Sequence, residues 1–155
     1  MLQNRKIIYK NFNENNPESV FEITTDLISE KLDYNEILVK ISQAMVHPCD
    51  LGCASGYVNG IILPSGAGFE GLGIIKNVGT NLKKEFYIGR KVHVCATHIL
   101  DNWKFWKGVW CDYMILKQNE IIMIPPNVND EEAIQLFVNV MTPLAMVKEM
   151  NLKKG

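Results

Sequence analysis

The chain has few of the features that would send it outside the cell, into a bilayer or onto nucleic acid. Its four cysteines, Cys49, Cys53, Cys95 and Cys111, are irregularly spaced along 155 residues and read as reduced thiols rather than a disulfide frame. Sixteen basic residues against seventeen acidic ones leave a formal charge of −1, which supplies no electrostatic pull toward nucleic acid or an anionic membrane. No apolar run approaches the roughly 18 residues that a membrane-spanning helix needs. The apolar residues 7–9 are too few for a secretory leader and no small-residue cleavage site follows them, so a cytoplasmic location is expected. Repeats, low-complexity segments and internal linkers are also missing. A chain of this length reads as one domain, able to bury most of its apolar surface.

Glycine, by contrast, is concentrated. Eight of the eleven glycines fall between positions 52 and 79, where backbone with φ > 0 or close approach to a ligand becomes possible. Around that cluster the first two thirds of the chain alternate with period two, as half-buried strands do. Strands are expected over 6–9, 21–25, 36–42, 72–78, 91–96, 110–116 and 121–124, the last ended by Pro125 and Pro126. Helix enters late. Asn129 can cap a segment whose Ala133, Leu136, Phe137 and Val140 share a face, with Glu132 as its capping-box partner. Pro143 is expected to break that run, with Thr142 as a fresh N-cap. Many short strands followed by a helical exit predict a mainly β, barrel-like domain with a few helices, β-rich over 1–128 and helical over 129–155.

Two tempting patterns carry less than they promise. Gly66-Ala67-Gly68-Phe69-Glu70-Gly71 matches the dinucleotide fingerprint G-x-G-x-x-G letter for letter. That fingerprint needs a preceding strand and a following helix whose N-terminus holds the pyrophosphate. Here a strand follows instead, and Pro64-Ser65 interrupts the approach. His47, Cys49 and Cys53 lie close in sequence, as do His93, Cys95 and His98, and three such ligands plus water could hold a catalytic zinc. His93 and Cys95 fall on alternate positions of a strand, where packing or surface roles are the ordinary outcome, so no metal is expected.

Seven segments in order then point to a family. They are Asn35-Glu36-Ile37-Leu38-Val39-Lys40-Ile41, His47-Pro48-Cys49-Asp50-Leu51, Gly56-Tyr57, Gly68-Phe69-Glu70-Gly71-Leu72-Gly73, Gly89-Arg90-Lys91-Val92, Gly108-Val109-Trp110-Cys111-Asp112-Tyr113 and Val138-Asn139-Val140-Met141-Thr142. Together the chain resembles the N-terminal GroES-like domain of the medium-chain dehydrogenase/reductases, in the zinc-independent quinone oxidoreductase and 2-enoyl thioester reductase branch. The resemblance implies a GroES-like, partly open β-barrel that lacks the nucleotide-binding Rossmann domain of those enzymes. It also argues against zinc, because Phe69 stands where zinc-dependent relatives carry a histidine and their four-cysteine lobe has no counterpart.

What the resemblance implies about function is specific. Such enzymes pass a hydride from NADPH to a quinone or to an α,β-unsaturated carbonyl or thioester. Tyr57 would be the proton donor, since a phenol donates and accepts and stays protonated at neutral pH. His47 stands where relatives carry asparagine near the nicotinamide, keeping a donor and an acceptor but able to charge near neutrality. Asp50, Asn139 and Thr142 would lie on the cofactor side, Thr142 beside helix-start amides. Glu70 reads as a structural tie between loops, and Cys49 as a small turn residue. Trp110 and Tyr113 read as barrel core and rim. Trp103-Lys104-Phe105-Trp106-Lys107 reads as a substrate-side loop or a partner contact. The chain alone is expected to be inactive or nearly so, and monomeric. The alternatives are a stand-alone GroES-like binding or scaffold module and a small metal-binding protein.

Overall fold

The computed structural model describes residues 1–95 and 107–151. Two antiparallel sheets curl around one core. The smaller holds β1 (Leu2–Tyr9), β2 (Phe21–Ile28) and β4 (Ser65–Gly66) in the order β2-β1-β4. The larger adds β3 (Glu36–Ala44), β5 (Glu70–Val78), β6 (Lys91–Cys95), β7 (Tyr113–Lys117) and β8 (Ile121–Met123) in the order β7-β3-β5-β6-β8. The segment before β7 stitches the sheets together. Ile7 N donates to Trp110 O, Asp112 N to Arg5 O, and Ile41 N to Asp112 O. The result is the mainly β, partly open barrel with a few helices that the sequence predicts.

Alternation explains the core. Ile37 and Val39 on β3, Ile75 on β5, and Val92 and Val94 on β6 are all fully buried, each contributing roughly 1.5–3 kcal/mol of burial. Two bulges bend β3 against β5, at Leu38/Val39 and between Ile41 and Gln43, and increase the local twist that lets the sheet curl. Gly68 has a positive φ of 92°, and a Cβ there would come within 2.3 Å of Trp110 Cδ1. Glycine is required here both by the backbone and by the indole lying on it. That indole in turn donates Nε1–H to Met45 O at 2.9 Å.

Helices differ from expectation in two places. The His47-Pro48-Cys49-Asp50 turn is the start of a real helix, α1 (Pro48–Ser55). Pro48 sits in its first turn, Asp50 Oδ2 accepts from His47 N at 2.6 Å, and Gly56 closes it in the left-handed conformation. All three are helix-end devices. A single turn, α2 (Lys84–Tyr87), follows β5. The second difference lies in the exit. Asn129 Oδ1 accepts from Glu132 N at 2.8 Å and caps α3 (Asp130–Ala133), as predicted. The chain then passes through a π-helical turn (Leu136–Met141) straight into α4 (Thr142–Glu149). Met141 and Thr142 both have helical dihedrals, so Thr142 is not a fresh N-cap and Pro143 does not break the run. The wide turn changes the hydrogen-bond spacing, and Pro143 falls at the start of α4, where its missing N–H is tolerated.

The exit is seated by a second apolar cluster of Leu72, Ile124, Ala133 and Ile134, with Met45, Val128 and Leu136 against it. Beyond that seat every residue from 141 to 150 is exposed. No helix among the described residues is long and apolar enough to cross a membrane.

Candidate functional site

The site is organised around α1. His47 precedes its first turn and Tyr57 follows its last, so at 1.5 Å of rise per residue their backbones lie roughly 15 Å apart. The structure therefore does not bring the two predicted catalytic residues together; they bracket the helix. Tyr57 is 73% exposed, and its hydroxyl donates to Glu14 Oε1 at 3.2 Å. His47 is buried at the other end.

Behind His47 lies an arrangement that sequence reasoning missed. Glu70, the first residue of β5, is 0% exposed. One carboxylate oxygen is 2.6 Å from His47 Nε2 and the other 3.0 Å from His93 Nε2. Val138 N, in the π-helical turn, also donates to Oε2 at 3.3 Å. His93 lies one strand over on β6, paired opposite Leu72, and its ring stacks on Phe137 with centroids 6.2 Å apart. A single buried carboxylate thus joins the N-terminus of α1, two central strands and the exit.

The electrostatics follow. Burial alone would push the Glu70 carboxyl up, but hydrogen bonds from His93, the Val138 amide and His47 outweigh it and hold it below the ordinary carboxylate value. An ionised carboxylate only accepts, so both Nε2 atoms carry the proton and donate. His93 Nδ1 is then a buried lone pair without a hydrogen-bond partner among the described residues. A proton added there would bury an N–H with no partner among the described residues. Asp50 is also buried, and burial raises its carboxyl, opposed by the His47 amide. Its carboxylate is committed to the start of α1 and lies beneath the surface.

The thiols belong to the structure rather than to chemistry. Burial pushes Cys49 up to about 11 and Cys53, Cys95 and Cys111 up to about 12, the signature of inert cysteines. Among the described residues no group of three or more His, Cys, Asp or Glu is placed to hold a metal ion. The two imidazoles that could ligate spend their Nε2 atoms on Glu70 instead. His98 and residues 103–106 of the aromatic, basic segment lie outside the described residues.

Asn139 and Thr142 are exposed on the exit. They offer an amide and a hydroxyl, neutral donors and acceptors. A phosphate cradle is not among the described features, because Gly66 to Gly71 runs into β5 rather than into a helix. A pyrophosphate is therefore not matched by the described residues around Gly66–Gly71.

Comparison with known proteins places the chain beside reductases of about twice its length. The mitochondrial enoyl-[acyl-carrier-protein] reductase of Caenorhabditis elegans is 27% identical over 153 residues, covering 97% of this chain and 41% of that protein. A structure described as an NADPH:quinone reductase from Bacillus thuringiensis superposes with a TM-score of 0.83 at 28% identity, covering 100% of this chain and 44% of the other. The mitochondrial 2-enoyl thioester reductase Etr1p/Etr2p heterodimer from Candida tropicalis shares the fold, with a TM-score of 0.81 at 19% identity, over 100% of this chain and 45% of that one. The chain spans less than half the length of these relatives. Residues 33–126 match the alcohol dehydrogenase GroES-like domain, and with β1 to β8 forming the half-barrel described above, the chain belongs to the alcohol dehydrogenase GroES-like domain family.

Proposed function

We propose that the chain is the substrate-side half of an NADPH-dependent oxidoreductase acting on a quinone or an α,β-unsaturated carbonyl or thioester, and that it is silent without a nucleotide-binding half. The observation that carries this is the match of the whole chain to part of a protein described as an NADPH:quinone reductase. When bound, NADPH supplies the hydride.

The chain's own residues hold and deliver protons and orient the reactants. Tyr57, exposed after α1 with its hydroxyl on Glu14, gives a proton to the substrate once Glu14 releases it. The Asn139 amide and the Thr142 hydroxyl hold the polar edge of the nicotinamide from the exit side. His47 stands at the N-terminus of α1, where Asp50 accepts from its amide and fixes the turn. No phosphate-binding loop is supplied by the described residues, so positioning a nicotinamide needs a second body.

An NADPH titration of the 155-residue chain, followed by tryptophan fluorescence beside a matched NADH titration, tests this. No saturable binding up to millimolar cofactor, together with no oxidation of NADPH in the presence of an enone or enoyl thioester, is the expected result. Tight binding or steady turnover by the chain alone would overturn the half-site reading.

A further inference from the structure

The buried carboxylate of Glu70 does more than tie loops. We propose that Glu70 is a positioning residue: it fixes His47 as the Nε2–H tautomer and holds it in register with the exit turn that carries Asn139 and leads to Thr142. The inference rests on the proposed function only in assigning those residues to the cofactor side.

Three donors converge on one carboxylate. His47 Nε2 lies at 2.6 Å, His93 Nε2 at 3.0 Å and the Val138 amide at 3.3 Å. The amide can only donate, and a carboxylate with no proton can only accept, so both imidazoles are forced into the same tautomer. The 2.6 Å contact is in the short range of charge-assisted hydrogen bonds. With its Nε2–H committed inward, the other side of the His47 ring is left to the start of α1, where the His47 side chain accepts from the Asp50 backbone N–H. The tautomer of His47 and its place at the start of α1 are thereby fixed together.

His93 completes the device. It reaches no ligand; buried at 1% exposure, it stacks on Phe137 and occupies the second carboxylate oxygen. Glu70 therefore cannot turn toward His47 without letting go of the exit. The two sides of the site are held at one spacing by two oxygens 23 residues from His47, 23 from His93 and 68 from Val138 in sequence.

The test needs neither cofactor nor turnover, so it fails or succeeds independently of the proposed function. Long-range nitrogen-15 imidazole spectra of the unaltered chain should show both His47 and His93 with a protonated Nε2 and a lone-pair-bearing Nδ1 at neutral pH. In Glu70→Gln the side-chain amide must donate, so one imidazole should switch tautomer. Amide exchange at Val138 and the rest of the exit turn should rise about tenfold, the loss of one hydrogen bond to a charged group. A residue with only a packing role would raise exchange across the whole barrel and leave the tautomers alone. Glu70→Asp, which keeps an acceptor-only group, should retain both tautomers. A lone pair on either Nε2 in the unaltered chain overturns the proposal even if no variant folds. So does a Glu70→Gln spectrum identical to the parent.

Discussion

The barrel and the exit are built on opposite terms. On β3, β5 and β6 the core residues are sealed, whereas from 141 to 150 nothing is buried and Leu144, Met146, Val147 and Met150 stand in the open. An isolated eight-residue helix is far below the length at which helices hold in water. What keeps α4 in place is the seat before it, made by Ala133, Ile134 and Leu136 on Leu72 and Ile124, and the hydrogen bond from Val138 to Glu70. The lesson is that position and stability are supplied by different residues. The barrel stabilises itself, and the exit is positioned by a few contacts at its root.

Deleting apolar volume on each side separates the two regimes most sharply. Ile75→Ala, at a fully buried site, should lose about 2–5 kcal/mol of stability in urea unfolding followed by circular dichroism. A loss well under 1 kcal/mol would mean that the core is looser than its burial indicates.

Acid should come next and should act at the joint. Glu70 titrates below its ordinary value in the folded chain, so its contribution is complete above the ordinary 4.5 and is lost as pH falls through and below that value. Asp50, raised by burial, acts in the opposite sense, its protonation relieving the folded state as pH falls. Comparing the parent with Glu70→Gln isolates Glu70 together with its charge acting on Asp50. The parent should lose its stability advantage over the variant on acidification, and parallel pH profiles would show that Glu70 is not ionised in the fold.

Asn129→Ala removes a cap from the root of the exit and should cost about 1 kcal/mol, seen as faster amide exchange at Glu132 with the barrel unaffected. Smallest of all, Leu144→Ala should change stability by less than about 0.5 kcal/mol. A cost comparable to that at Ile75 would mean that α4 is covered in solution by another copy of the chain, which sedimentation would detect.

Much of the barrel was legible because period-two alternation is local. The strand predicted over 36–42 extends two residues further, and that over 72–78 starts two residues earlier. α1 was not legible, because Pro48 and Gly52 read as turn residues although Pro48 starts the helix and Gly52 merely sits within it. The π-helical turn hid for a related reason: Pro143 signals a break only if the preceding turn has ordinary spacing. At the site, His47 and Tyr57 stood out by residue type and neighbours. Glu70 was visible as part of a glycine-rich pattern, but its partners come from β6 and the exit, and no local pattern places them around one carboxylate.

The four suppressed thiols have a practical consequence. With pKa values of about 11 or higher, roughly one thiol in ten thousand or fewer is ionised at neutral pH. The protein thus arrives with a silent background for thiol-directed labelling. A cysteine placed at an exposed position such as Met146 would react far ahead of the native four, and a dye attached there would report directly on whatever comes to cover the exposed helix.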